Sequence, residues 1–238
     1  MIPLRDTIRS RHFPVMNWLL LGANAAVFIF QLSLSEFGEA RLVSAFGLVP
    51  ARLTSGNAFG IVGLFSSMFM HGGWLHFLSN MWILYIFGDN VEDRMGSIPY
   101  LVFYILSGLA AGLLQTFITP GSPIPVIGAS GAIAGVMGAY ILLYPAAKVV
   151  TLIPVFIFPW FIQVPAFFFL GFWFVSQLFS GVAAIGTVGG GVAWWAHIGG
   201  FLFGLLLVRF FDFRPPPPPE PEPYYVYTLP REDYYSDF

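Results

Sequence analysis

The run VVTLIPVFIFPWFIQVPAFFFLGFWFVSQLFS, residues 149–180, holds 32 residues without one charged side chain. As a single helix it would be about 48 Å long, against a bilayer core of roughly 30 Å. Pro154, Pro159 and Pro165 interrupt it, each removing a backbone donor and blocking helix continuation. Residues 149–164 are therefore expected to form a re-entrant or interfacial loop, and Pro165–Ser180 a membrane span. Two separate spans are the alternative reading.

Composition points the same way along the whole chain. Hydrophobic residues make up 57% and charged residues 9%, where soluble domains carry about 25% charged. This is a membrane protein's balance. A net charge of −2 without a basic run excludes the electrostatic footprint of nucleic-acid binding. The absence of cysteine removes disulfides, thiolate metal sites and cysteine nucleophiles.

Besides Pro165–Ser180, five further windows are apolar enough for spans: Met16–Leu34, Trp74–Val91, Ile98–Ile118, Ala129–Tyr144 and Val192–Phe211. The first follows Arg5, Arg9 and Arg11 and is read as a retained span rather than a cleaved signal. An all-α polytopic bundle of six transmembrane helices is expected over residues 16–213, after a cytoplasmic segment 1–15. Six spans leave Arg5, Arg9, Arg11, Arg94, Lys148, Arg209, Arg214 and Arg231 on one side, with only Arg41 and Arg52 on the other. Positive charge stays inside, so both termini are expected in the cytoplasm. With no transit peptide before the first span, the expected location is a bacterial plasma membrane.

Between the first two windows, residues 57–70 are apolar but too short to span, which suggests an interfacial segment or a loop packed on the bundle. Residues 214–238, with Pro215–Pro219 followed by a Glu/Pro alternation, read as a disordered cytoplasmic tail that either recruits a partner or is simply solvated. No internal repeat marks an inverted-repeat transporter.

Polar side chains inside spans are costly and are functional candidates by default. The second span opens with His71-x-x-x-x-His76-x-x-x-Asn80, the fourth with Gly128-Ala129-Ser130-Gly131, and the sixth contains Ala196-His197-Ile198-Gly199-Gly200. His76 and Asn80, four apart, share a helix face. All three spans run from outside to inside, so their N-terminal ends meet at one membrane face. From Val192 His197 lies about 8 Å deep, and the short fourth span sinks Ser130 by roughly 6 Å. Gly131-x-x-x-Gly135 and Ala196-x-x-x-Gly200-x-x-x-Gly204 allow the two backbones to approach closely. Ser130 as nucleophile and His197 as its base form a candidate dyad. A carboxylate third member is missing, since Asp212 lies fifteen residues from His197, about 22 Å along a helix. His76, Asn80 and the Ser130 backbone N–H are candidate oxyanion donors. His71 lies off the face of His76 and reads as a loop anchor, while the stretch Asp89 to Gly96 reads as a glycine-capped helix end with an ion pair. Neither the histidine spacing nor a His-Glu-x-x-His motif suggests zinc, and no cofactor or metal is expected.

These motifs, with Gly88-Asp89-Asn90-Val91-Glu92-Asp93-Arg94-Met95-Gly96 and Pro50-Ala51-Arg52, resemble those of the rhomboid proteases over roughly residues 16–212. The resemblance implies cleavage of single-span membrane proteins in or beside their transmembrane segments. It also implies a Ser–His dyad in a water-filled cavity open to the extracytoplasmic side, with Ser130, His197, His76 and Asn80 in the roles above. A departure is Ala134, where some members carry a tyrosine that stacks on the histidine. That leaves the packing around His197 open. Two other readings stand beside the protease: a proton-coupled transporter, and a non-catalytic relative that binds membrane helices.

Overall fold

The computed structural model describes residues 1–155, 158–185 and 191–214, so the proline-rich tail expectation falls outside the described residues. Helices occupy all six apolar windows. The first is α1 (Val15–Leu32); the connection after it folds into α2 (Glu36–Phe46), α3 (Pro50–Thr54) and α4 (Ala58–Ser66), followed by a 3-10 turn at Ser67–Phe69. Then come α5 (Trp74–Met95), α6 (Ser97–Ile118), α7 (Ser130–Leu143), α8 (Ala166–Ala183) and α9 (Trp194–Leu207). Helices α1, α6 and α8 are each long and apolar enough to cross a membrane. Helix α5 joins them as a broken span with residues 58–69, at a bend of 76°, whereas α7 and α9 are apolar but shorter.

Local chemistry sets several of these ends. Ser35 and Asn57 cap α2 and α4 by accepting from the backbone N–H groups of Gly38 and Phe59. Pro14 offers α1 no side-chain cap, and the Glu92 carboxylate of α5 accepts from Met16 N and Asn17 N at 3.0 and 2.7 Å instead. Gly96 ends α5 at φ +84°, a conformation that glycine adopts without steric cost. Arg94 pairs with Asp212, so the stretch from Asp89 to Gly96 is the capped, ion-paired helix end read from its sequence.

One expectation is corrected: the chain is not all-α, because the described part of residues 149–164, expected as a re-entrant or interfacial loop, is extended. Strands β2 (Lys148–Val155) and β3 (Phe158–Pro165) make an antiparallel hairpin, and the N-terminal strand β1 (Ile2–Asp6) joins the free side of β2. The prolines do exclude a helix here. The β-branched stretch from Val149 to Ile153 then adopts the extended form it favours, its backbone groups satisfied by partners at both ends of the chain's first 165 residues. Residues 1–6 are thus a sheet edge rather than a free segment.

Helix α7 occupies the centre, with every residue from Gly131 to Ile141 buried. It runs parallel to α9. A Cβ added at Gly200 would meet Gly131 O, and one at Gly204 would meet Gly135 O, so the two backbones touch along the predicted small-residue seam. Helix α6 packs antiparallel against both, with Ala111 against Gly131, Ser107 against Gly135 and Leu114 against Gly199. Helix α5 is also parallel to α7, placing Phe87 on Tyr140 at 4.9 Å and Tyr144 Oη on Asn90 O at 2.8 Å. The N-terminal ends of α5, α7 and α9 therefore meet at one end of the bundle, and the sheet lies at the other.

Candidate active site

At that end a cavity of about 830 Å³ is lined by His76, Asn80, Ser130 and His197 among others. Gly128 lets α7 begin there. Its φ of +132° lies where a side chain would be strained, and a Cβ would sit 2.7 Å from His76 Nε2. Its N–H donates to Ser67 O at 2.9 Å, which ties the turn before α7 to the end of the first connection.

Ser130 Oγ lies 2.8 Å from His197 Nε2. The other ring nitrogen, Nδ1, lies 2.7 Å from Gln177 Oε1 of α8. An amide oxygen only accepts, so Nδ1 carries the proton and Nε2 presents its lone pair to the serine hydroxyl. Trp173, one turn before Gln177, lies beside the imidazole at 5.7 Å with its plane tilted by 34°, and Trp194 meets it edge-on at 6.2 Å. Tryptophans from α8 and α9 thus pack on the ring, and position 134 carries only a methyl group. The start of α9 is held from α6, where Gln115 Oε1 accepts from Ala196 N at 3.2 Å.

His76 Nδ1 accepts from Gly72 N at 3.3 Å, which puts its proton on Nε2, the atom facing Gly128. Asn80 Nδ2 is buried without a hydrogen-bond partner among the described residues. The Ser130 N–H, in the first turn of α7, has none there either. His76, Asn80 and Ser130 thus line one cavity, and each carries a donor of its own.

His71 stands apart from this set. Its backbone N–H and C=O are clamped by the Gln31 amide at 2.9 and 3.0 Å, and its ring packs on Phe28 and His76. It anchors the loop to α1. Gln177, Trp173 and Gln115 are absent from the sequence reading. The signal for the two glutamines was present, since an amide in an apolar span meets the same criterion that singled out Asn80.

Residues 58–212 match the family model of the Rhomboid domain. The chain is 28% identical over 207 residues to the mitochondrial rhomboid protein 1 of Saccharomyces cerevisiae, covering 84% of this chain and 54% of that protein. It is 31% identical over 80 residues to the putative rhomboid protease YdcA of Bacillus subtilis, 34% of this chain and 40% of that one. It is 26% identical over 156 residues to the mitochondrial presenilin-associated rhomboid-like protein of Bos taurus, with coverages of 60% and 36%. The chain thus spans about half or less of the length of these relatives.

Proposed function

From the premise that this chain belongs to the rhomboid family of membrane proteins, we propose that it is an intramembrane serine endopeptidase cleaving single-span membrane proteins in or near their transmembrane segments. The observation that carries the reading is the 2.8 Å contact between Ser130 Oγ and the unprotonated Nε2 of His197. Ser130 attacks the scissile carbonyl carbon while His197 takes the hydroxyl proton, and the carbonyl oxygen becomes an oxyanion. His76 Nε2–H, Asn80 Nδ2 and the Ser130 N–H donate to that oxygen. The imidazolium then gives its proton to the leaving amine, and a water activated by the same ring hydrolyses the acyl-enzyme.

Helices α1, α5, α6, α7, α8 and α9 all cross the bilayer in this reading, with both termini cytoplasmic and the cavity opening to the other side. The charge asymmetry supports it: Arg5, Arg9, Arg11 and Arg94 fall at the sheet end, Arg41 and Arg52 at the end of the cavity. The helices at the dyad are shorter than a bilayer core requires, which sets the reacting atoms below the membrane surface within reach of water.

The test is cleavage of a model single-span substrate by the purified chain in liposomes, comparing wild type with Ser130→Ala and His197→Ala. Wild-type cleavage lost in both variants is expected. Cleavage by both variants at the wild-type rate would remove the dyad. Transport across the vesicle without any cleavage, and without labelling of Ser130 by a fluorophosphonate, would replace the protease by a transporter.

A further inference from the structure

A serine–histidine pair needs its imidazole held as one tautomer, and in this bundle the group that does so comes from a third helix. Gln177 is 5% exposed, and its amide is oriented by its own helix. Ser176 Oγ donates to Trp173 O at 2.6 Å, leaving its lone pairs free to accept from Gln177 Nε2 at 3.0 Å. Nε2 also approaches Trp173 O at 3.3 Å. With its nitrogen committed, the amide can turn only its oxygen toward His197, at 2.7 Å. We infer that Gln177 is a positioning residue, a neutral amide that fixes the His197 tautomer and ring plane so that Nε2 faces Ser130. The inference rests on the dyad reading above.

The chemistry differs from that of a carboxylate triad. An amide oxygen orients the imidazole without a full counter-charge, so the imidazolium formed during attack is less stabilised than beside an ionised aspartate. Trp173 and Gln177, four apart, act on the ring together from one face of α8. The opposite face carries Phe167, Phe168, Phe172 and Phe179, all exposed. The base is therefore competent only while α8 keeps its seat against α9.

The experiment compares wild type, Gln177→Met and Gln177→Glu, with Ser130→Ala and His197→Ala beside them. Methionine keeps the length of the side chain and removes the acceptor. It is expected to lower kcat on the order of 100-fold, the cost of a misplaced reacting group, with KM and melting temperature near wild type. Glutamate is expected to restore activity and to move the acid limb of the kcat/KM profile to higher pH. A second readout needs no turnover: in protein labelled with ¹⁵N-histidine, which holds only four histidines, the His197 ring should report protonated Nδ1 in wild type and mixed tautomers in Gln177→Met. A Gln177→Met enzyme with wild-type kcat, pH profile and ring signals overturns the inference. So does a loss of activity that tracks a loss of melting temperature while tautomer and acid limb stay put. Failure of the dyad itself registers separately, as activity retained in Ser130→Ala or His197→Ala.

Discussion

Asn80 buries an amide nitrogen that has no acceptor among the described residues, and an unmet donor in a protein interior costs about 1–3 kcal/mol. Such a cost is recovered where charge appears during a reaction, which sets activity against stability at this position. Asn80→Ala is expected to lower kcat by about 100- to 1,000-fold with little change in KM, the range for losing one oxyanion donor. Its melting temperature should equal or exceed that of wild type, because the orphaned group is gone. Steady-state kinetics and thermal denaturation of the same preparation check both; a large fall in melting temperature with unchanged kcat would make Asn80 interhelical glue. At this scale the sequence singles out polar residues within apolar helices, and Ser130, His197, His76 and Asn80 were named on that ground. Gln177 satisfies the same criterion, but the usual third member of a triad is a carboxylate. A neutral amide does the orienting here, and the tryptophan that packs on His197 comes from α8 rather than from the position of Ala134.

Helices α7 and α9 are held by backbone contact rather than by interdigitated side chains. The small residues every fourth position announced this, because only their spacing lets two helices touch. A Cβ on Gly200 has nowhere to go but Gly131 O, one residue past the nucleophile. Gly200→Val is therefore expected to destabilise by about 1–3 kcal/mol as an overpacked contact and to separate Ser130 from His197. Gly171→Ala on α8, where no atom lies within 4 Å, should leave stability unchanged or raise it by up to about 1 kcal/mol. Denaturation midpoints of the two variants decide it; equal midpoints would mean that the seam carries no packing strain. The β2–β3 hairpin was not legible in the same way. Its prolines state that a helix breaks and say nothing of what replaces it. The strand that completes the sheet lies far away in the chain, with Ile2 paired to Leu152. Short apolar runs do not distinguish strand from buried helix by periodicity, and non-local pairing leaves no local trace.

Across the whole molecule the two ends are built differently. Among the described residues the cavity end holds the unpaired Asn80 nitrogen, whereas the sheet end carries most of the ion pairs: Arg11 and His12 on Asp93 and Arg94 on Asp212, with Trp82 Nε1 donating to Pro3 O at 2.6 Å. Asp6 joins strand β1 to two helices by accepting from Tyr140 Oη of α7 and from Asn90 Nδ2 of α5. Burial pushes its carboxyl up to about 7 from 3.8; the neighbouring Asp89 adds to the rise, and the bond from Tyr140 opposes it. The sign follows from proton counting. Between pH 3.8 and about 7 the folded chain holds a proton on Asp6 that the unfolded chain has released, so this group's contribution is full below that window. It declines as pH rises through it and is lost above about 7. An asparagine keeps the accepting oxygen and never ionises. Asp6→Asn should therefore match wild type near pH 4 and exceed it in melting temperature at pH 8, narrowing the gap between the two conditions. Cleavage should be unaffected, since Tyr140 stands ten residues, roughly 15 Å, along α7 from Ser130. Thermal melts of both proteins across that range are the measurement. Parallel curves would mean that Asp6 is ionised in the fold throughout, and that β1 is held by its pairing with β2 and the Trp82 bond to Pro3 O without a contribution from the Asp6 proton.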